Sequence, residues 1–176
     1  MNKEIKTVIL TGPGAEDPEF IVPYYRLQEI GKVAVATSND AEVKTKFGYP
    51  IKPTVKIADL RVEDFDAVII PGGLEAPDRL RQVALVTTFV KDMYEAGKLV
   101  SSICHGPWVI ISAGIMKGKR STGYPAIKDD LINAGALYEA SPVVVDGNLI
   151  TSDHPRDIAP WMKATVEWLQ AYVETK

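Results

Sequence analysis

Positions 99–110 have the sequence LVSSICHGPWVI, in which a strand-like apolar run passes through Cys-His-Gly-Pro into a helix-like apolar run. A side chain at such a sharp strand-to-helix turn is held outside the sheet in a strained backbone conformation. The N–H groups of the turn and the positive end of the helix dipole then face Cys104, where they lower a thiol pKa and stabilise an oxyanion. Cys104 is therefore predicted to be a nucleophile, with inert packing in the core as the alternative.

His105, the next residue, is one of only two histidines in the chain. Its imidazole titrates near neutral pH, which makes it the first candidate for a general acid or base. Its backbone N–H is also suited to an oxyanion site. Because adjacent side chains on a turn often point apart, the alternative is a ring that only lines the site.

The rest of the chain alternates short apolar runs rich in β-branched residues with amphipathic stretches. This pattern is typical of buried parallel strands and the helices that cover them. The predicted strands are Thr7–Thr11, Val33–Thr37, Ala67–Ile70 and Leu99–Ile103, and the predicted helices include Pro23–Ile30, Leu85–Ala96 and Ile158–Val173. We expect an α/β fold with an open, mainly parallel sheet and helices on both faces.

Two further segments are predicted to extend this sheet. Lys44–Ile57 alternates around prolines, as an edge hairpin does, and Val143–Leu149 carries an Asp-Gly turn before another apolar run. The sequence has no internal repeat, low-complexity linker or change of composition. Residues 1–176 are therefore expected to form one domain.

The loop after the first predicted strand is acidic and contains Glu16, Asp17 and Glu19. Loops at the carboxyl ends of parallel strands share one rim of the sheet, so this loop is expected near Cys104. Asp17 is interpreted as a simple complement to a helix dipole. Glu19 is expected on the first inward-facing turn, where its carboxyl group can orient the thiol, relay a proton and itself be protonated.

A third rim loop contains Pro71-Gly72-Gly73. Consecutive glycines after a buried strand permit positive φ and a nest of N–H donors, although a plain tight turn has the same composition. Neither a Walker nor a dinucleotide fingerprint is present, so nucleotide binding is disfavoured.

The composition excludes several classes of protein. The chain has 176 residues, with 20 Lys and Arg against 23 Asp and Glu, and a single cysteine. A domain of this size needs neither disulfides nor a metal to fold, and its balanced charge disfavours a nucleic-acid partner. No apolar run approaches the roughly 20 residues that cross a bilayer, and no signal region is evident, so we expect a cytoplasmic protein without a membrane partner.

Taken together, three motifs resemble the DJ-1/PfpI superfamily, and most closely its PfpI-type intracellular protease/amidase branch (peptidase C56-like). They are Cys104-His105-Gly106-Pro107, Pro71-Gly72-Gly73 and Glu16-Asp17-Pro18-Glu19. The likeness extends over essentially the whole chain. It implies a flavodoxin-like three-layer sandwich with a mainly parallel central sheet and Cys104 at a nucleophile elbow.

The resemblance also implies roles for individual residues. Glu19 is then the acidic partner of the thiol, and the oxyanion site is formed by Gly72, Gly73 and the His105 N–H. A carboxylate at the position of Asp78 comes from a neighbouring subunit to orient the histidine, which implies a homo-oligomer, a dimer or a hexamer, with a shared active site. Tyr124 matches a tyrosine that lines the family pocket.

This sequence also departs from the family pattern. Asp78 is shorter than the glutamate of some relatives, and Ala15 replaces an aromatic residue. After the late strand, Ser-Asp-His-Pro-Arg-Asp replaces a more common Ser-Arg-x-Pro-Asp-Asp and brings His154 to the rim. His154 is a candidate for substrate contact or an exposed loop residue, and Glu16 is a second candidate for substrate binding.

Three functions are compatible with these residues. The leading hypothesis is a cofactor-independent cysteine enzyme, glyoxalase- or deglycase-like, that acts on small reactive carbonyls such as methylglyoxal. The second is an intracellular cysteine peptidase or amidase, and the third is a redox-sensing stress chaperone without turnover. An isocyanide hydratase is disfavoured, because that branch usually has Thr where this chain has His105.

Overall fold

A six-stranded sheet forms the centre of the protein in the computed structural model, which describes residues 4–175. In chain order, the strands of the protein are β1 (Ile5–Thr11), β2 (Gly31–Thr37), β3 (Val43–Lys44), β4 (Pro50–Ile51), β5 (Ala67–Ile70), β6 (Leu99–Ile103), β7 (Arg120–Ser121), β8 (Leu137–Tyr138), β9 (Val143–Asp146) and β10 (Leu149–Ser152). The order across the central sheet is β2-β1-β5-β6-β10-β9, and only β9 runs antiparallel to its neighbour. The predicted mainly parallel α/β sheet is confirmed.

Helices cover both faces of this sheet. They are α1 (Asp17–Gln28), α2 (Glu75–Leu80), α3 (Ala84–Glu95), α4 (Pro107–Ser112), α5 (Lys128–Asn133) and α6 (Ile158–Glu174). Every residue of β5 and β6 is buried, as expected for central strands with helices on either side. Apolar side chains of β1 alternate between two cores, one against α3 and α4 and the other against α1 and α6. This is the predicted three-layer arrangement.

Two of the three predicted helices have boundaries close to those of the structure. The last two predicted helices agree with α3 and α6 to within one residue at each end, which is the usual uncertainty of a helix boundary. The helix predicted over Pro23–Ile30 forms the second half of α1, which begins six residues earlier at Asp17. Between Glu4 and Thr175, no helix has the length and hydropathy needed to span a membrane.

The segment Lys44–Ile57 differs from its prediction as an edge hairpin of the central sheet. Its two short strands, β3 and β4, pair only with each other. The prolines in this segment lack the backbone N–H groups that an edge strand needs for pairing. Between Lys44 and Ile57, only the N–H groups of Thr54 and Val55 donate to β2, and both donate to the Val35 carbonyl. The hairpin instead docks on the loop after β1. By contrast, Val143–Leu149 contributes to the predicted hairpin at the sheet edge.

Candidate active site

Cys104 lies at the turn between β6 and α4 with a φ of +61°, in the left-handed region that non-glycine residues rarely adopt. Both of its backbone polar groups are paired: its N–H donates to the Ser152 carbonyl at 3.0 Å, and its carbonyl accepts from the Tyr124 N–H at 2.8 Å. Two residues later, a Cβ at Gly106 would lie 2.5 Å from the Ile70 carbonyl oxygen. The tight turn therefore needs glycine at this position and holds Cys104 in a fixed, strained conformation.

Glu19, in the first turn of α1, is completely buried beside this cysteine. Its Oε2 accepts a 2.6 Å hydrogen bond from the Gly72 N–H. Gly72 is packed between the two side chains, because a Cβ there would lie 2.5 Å from Glu19 Oε2 and 2.7 Å from Cys104 Cβ. The inward orientation expected for Glu19 is confirmed. The Gly72 N–H, predicted as an oxyanion donor, is instead occupied by the Glu19 carboxyl group.

The environment of Glu19 favours its protonated form. Burial raises the pKa of its carboxyl group to about 8, against the opposing effect of hydrogen bonds with the Gly72 N–H and the Cys104 thiol. The second carboxyl oxygen, Oε1, is buried without a hydrogen bond of standard geometry among residues 4–175. A carboxyl group with this pKa keeps its proton through most of the neutral range.

Opposing effects act on the pKa of the Cys104 thiol. Burial, followed by the negative charge of an ionised Glu19, raises its pKa, whereas the N–H groups of Gly73 and His105 lower it. This net direction differs from the lowered thiol pKa that the turn alone predicts. The charge of Glu19 is absent while its carboxyl group is protonated, so the proton on Glu19 favours the thiolate on Cys104.

The side chain of His105 meets that of its neighbour rather than pointing away. Its Nδ1 lies 3.2 Å from Cys104 Sγ. The ring is held between Tyr124, which stacks on it with a centroid distance of 4.7 Å, and Trp108, whose ring is edge-on at 5.1 Å. Burial lowers the pKa of His105, so the imidazole is neutral at neutral pH and can accept a proton.

A cavity of about 860 Å³ opens at the Cys104 sulfur. It brings together the predicted residues Glu16, Gly73, His105, Tyr124 and His154, while Glu19 and Gly72 lie beneath its floor. The complete lining is Pro13, Gly14, Glu16, Lys44, Thr45, Lys46, Gly73, Leu74, Glu75, Cys104, His105, Tyr124, His154 and Pro155. The loops after several parallel strands therefore share one site, as the sheet topology predicts.

His154 is part of the aromatic side of this cavity. Its ring stacks on Tyr124 with a centroid distance of 5.7 Å. Its Nδ1 accepts a hydrogen bond from the Arg156 N–H at 3.2 Å, so the neutral ring carries its proton on Nε2. The three rings of His105, Tyr124 and His154 form a continuous stack that ends at the thiol.

Asp78, which is also a predicted site residue, lies outside the cavity of its own chain. It lies on α2, whose inner face buries Ala76, Pro77 and Leu80, so that Asp78 is exposed. Its carboxylate accepts a 3.3 Å hydrogen bond from the Gln82 side chain. Within its own subunit, Asp78 does not orient His105.

Several residues of the site have no clear sequence signal. Lys44 and Lys46 reach the cavity because the small hairpin docks on the loop after β1, through Gly14 N–H to Lys44 O and Lys46 N–H to Ala15 O, both at 2.9 Å. Trp108 supports His105 from the first turn of α4. Its N–H also donates to the His105 carbonyl at 3.1 Å, and the separation of three residues is a signal that the sequence does contain.

Comparisons with known proteins give the family. The sequence matches the DJ-1/PfpI family over residues 5–168. It is 41% identical over 167 residues to a deglycase of Pyrococcus horikoshii, which covers 94% of this chain and 100% of the relative. It is also 40% identical over 167 residues to YraA of Bacillus subtilis, named as a candidate cysteine protease, with 94% of this chain and 98% of that protein covered.

A solved structure gives the same result at the level of the fold. A two-domain protein of Anabaena variabilis, with DJ-1/ThiJ/PfpI-like and ferritin-like domains, is similar with a TM-score of 0.91 and 40% sequence identity. The match covers 94% of this chain and 48% of that one, so the chain spans about half the length of the two-domain protein. The family match extends over nearly all of the central sheet and its helices, and this chain belongs to the DJ-1/PfpI family.

Proposed function

We propose that the protein is a cysteine enzyme that converts small reactive carbonyls, in the manner of a glyoxalase or deglycase, with methylglyoxal to lactate as the model reaction. The contacts of one sulfur atom carry this proposal. Cys104 Sγ lies 3.2 Å from His105 Nδ1 and also interacts with the Glu19 carboxyl group and the N–H groups of Gly73 and His105. The deglycase name of the Pyrococcus horikoshii relative supports carbonyl chemistry.

The first step forms a bond between sulfur and carbon. The Cys104 sulfur attacks the aldehyde carbon, and the carbonyl electron pair moves to oxygen beside the N–H donors of Gly73 and His105. The thiol proton passes to the neutral His105 Nδ1, 3.2 Å from the sulfur, and returns from there to the oxyanion. The product is a neutral hemithioacetal.

The second step rearranges this adduct. Neutral His105 removes the proton from the former aldehyde carbon and returns it to the neighbouring ketone carbon through an enediol. The aldehyde carbon is thereby oxidised and the ketone carbon reduced, so the reaction needs no external electron acceptor. Water then attacks the resulting thioester, the C–S bond breaks, and lactate and the free thiol are released.

The direct test measures lactate formed from methylglyoxal by the purified protein, by its Cys104→Ser variant and by protein alkylated with iodoacetamide. Since Cys104 is the single cysteine, alkylation of the thiol modifies one residue. We expect turnover in the unmodified protein and loss of at least 100-fold in the other two samples, as for removal of an essential nucleophile. Turnover that survives both treatments would exclude Cys104 as the nucleophile.

A second candidate function is peptide or amide hydrolysis, which the similarity to YraA favours. Here a peptide carbonyl acylates Cys104, and His105 protonates the leaving amine. Hydrolysis of fluorogenic peptides by the same samples separates the two functions, because each requires Cys104 but only one yields lactate. A Cys104→Ser protein that still protects client proteins from aggregation would instead favour the third hypothesis, a redox-sensing chaperone.

We also propose that the active site is completed in a homo-oligomer, a dimer or a hexamer. Asp78 is exposed in its own subunit and lies outside the cavity, so its carboxylate is available to a neighbouring chain. In that arrangement, Asp78 of one subunit accepts a hydrogen bond from His105 of another and orients the ring toward Cys104. Its effect on activity is therefore expected to depend on association.

A further inference from the structure

The cavity is much larger than the model substrate. Methylglyoxal has only five non-hydrogen atoms, whereas a volume of about 860 Å³ lies in the range of pockets that hold drug-sized ligands, about 300–1,000 Å³. A substrate that fills this cavity therefore carries more than a reactive carbonyl. Lys44, Thr45 and Lys46 of the small hairpin form part of the wall available to those additional groups.

The charges on the cavity wall indicate the nature of those groups. Four ionic residues line the cavity, and the side chains of two of them form a pair, with Lys46 Nζ 3.4 Å from Glu16 Oε2. Glu75 is paired with Arg79, at 3.5 Å. Lys44 is exposed and has no carboxylate within 4.0 Å among residues 4–175. After these pairings, the wall retains one uncompensated charge, and it is positive.

The aromatic side of the cavity adds a hydrogen-bond donor. His154 carries its proton on Nε2, because Nδ1 accepts from the Arg156 backbone. An imidazole N–H and an ammonium group are both donors that favour an anionic acceptor over a neutral one. The cavity therefore has a reactive thiol, a positive charge and an imidazole N–H donor, and its carboxylates are already paired.

We propose that Lys44 is a specificity-determining residue that selects carbonyl substrates bearing an acidic group, a carboxylate or a phosphate. This inference rests on the proposed function for the nature of the reacting carbonyl. The preference for an anion is a property of the cavity alone, however, and can be measured without turnover.

Two alkylating reagents of nearly equal size provide the measurement. Iodoacetate carries a carboxylate and iodoacetamide a neutral amide, and both form an S–CH₂ bond with the single cysteine as iodide leaves. The ratio of their second-order rate constants, iodoacetate over iodoacetamide, reports the preference of the cavity for an anion. Differences in thiol reactivity between variants cancel in this ratio.

We expect the ratio to fall about fivefold in Lys44→Gln, as for the loss of one partly exposed charge pair, and further in Lys44→Glu. Lys52→Gln is the matched control, because Lys52 lies in the same hairpin segment but outside the cavity, 3.9 Å from Glu42. Its ratio should equal that of the wild type. An unchanged ratio in Lys44→Gln, or an equal fall in Lys52→Gln, would overturn the proposal.

Turnover provides the second arm of the test. The acidic oxoaldehyde 4,5-dioxopentanoate contains the reacting group of methylglyoxal plus a carboxylate, and the same chemistry converts it to 2-hydroxyglutarate. We expect the kcat/KM ratio of this substrate to methylglyoxal to fall about fivefold in Lys44→Gln. If the alkylation ratio depends on Lys44 but neither aldehyde is converted, the proposed function fails and the anion site stands. If both aldehydes are converted and neither ratio depends on Lys44, the specificity proposal alone fails.

Discussion

At the scale of single residues, Glu19 links the stability of the protein to its chemistry. Its carboxyl group is completely buried, accepts one short hydrogen bond from Gly72 and interacts with Cys104. A charged carboxylate here loses its hydration, whereas a protonated one can donate to the sulfur. The sequence predicts the inward position and the possible protonation of Glu19, because both follow from a carboxyl group in the first turn of a helix that covers a buried strand.

The raised pKa of Glu19 predicts a pH-dependent stability. A carboxyl group with a pKa of about 8 in the folded state and 4.5 in the unfolded state favours folding below pH 4.5, and this contribution is lost as the pH rises to about 8. Glu19→Gln does not titrate. We therefore expect its unfolding free energy, relative to the wild type, to increase by a few kcal/mol between about pH 5 and about pH 9 in urea titrations.

The control for this prediction is Glu29→Gln, which changes an exposed carboxyl group just beyond the end of the same helix. Its stability relative to the wild type should be nearly independent of pH over the same range. A difference between Glu19→Gln and the wild type that stays constant from acid to alkaline pH would contradict a raised pKa for Glu19.

Gly72 is the second residue whose effect is set by close packing. In Gly72→Ala, the new Cβ would lie 2.5 Å from Glu19 Oε2 and 2.7 Å from Cys104 Cβ, so both side chains must move. We expect a loss of about 2 kcal/mol in stability, as for overpacking of a core, and a loss of at least 100-fold in kcat/KM. Denaturant unfolding and methylglyoxal turnover measure the two effects.

Gly114→Ala separates backbone strain from this steric effect. Gly114 has a φ of +76°, but apart from its chain neighbours no residue from Glu4 to Thr175 has an atom within 4 Å of an added Cβ. This variant should lose about 1 kcal/mol in stability while keeping its activity. If Gly72→Ala has wild-type kcat/KM, the packing of Gly72 between the two side chains does not position the reacting groups.

At the scale of secondary-structure elements, the central strands could be predicted from short apolar runs and the long helices from apolar residues at helical spacing. Gly31 and Gly97 additionally mark the ends of the first two predicted helices. The small hairpin β3–β4 could not be placed, because its prolines and short strands leave no register that specifies a neighbour. Its position depends on tertiary hydrogen bonds to the loop after β1. Lys44 therefore had no sequence signal as a residue of the cavity.

Asp17 is the main side-chain anchor of this hairpin. One carboxylate oxygen accepts from the Thr45 hydroxyl and the other from the Phe47 N–H, at 3.1 Å. The sequence interpretation of Asp17 as a dipole complement is consistent with its place in the first turn of α1, but it omits this second role. The anchor joins α1, which carries Glu19, to one wall of the cavity.

Removing the anchor should loosen the wall without changing the reacting groups. For Asp17→Ala, we expect KM for methylglyoxal to rise about fivefold, which corresponds to a loss of about 1 kcal/mol in the free energy of substrate binding. The value of kcat should stay within about twofold of the wild type. Asp17→Asn keeps a carbonyl acceptor for Thr45 and should give a smaller rise. A fall in kcat with unchanged KM would show that Asp17 acts on the chemical step instead.

At the scale of the whole molecule, residues from distant parts of the sequence lie close together along one edge of the central sheet. Parallel strands place the loops that contain Glu19, Gly73, Cys104 and His154 at the same edge of the sheet, as their positions in the sequence predict. Asp78 differs, because α2 turns it outward from its own site. With α2 in this position, the proposed contact between Asp78 and His105 would need a second subunit.

Mixing two inactive variants tests this requirement. In an oligomer formed from equal amounts of Asp78→Ala and Cys104→Ser subunits, a site works only when a chain with Cys104 meets a neighbour with Asp78. Random assembly gives about one quarter of wild-type activity, whether the oligomer is a dimer or a hexamer, provided that each site takes one residue from one neighbour. The measurement is lactate formation after the mixed subunits are dissociated and reassociated.

The outcomes distinguish three arrangements. Activity of about one quarter, absent from either variant alone and lost on dilution to monomers, means that Asp78 acts across the interface. If Asp78→Ala alone retains full activity, as the control Asp92→Ala on α3 is expected to do, Asp78 has no catalytic role. If Asp78→Ala is inactive and mixing restores nothing, Asp78 serves the site of its own subunit. That last outcome would require α2 to move, because Asp78 is exposed on this helix and does not line the cavity.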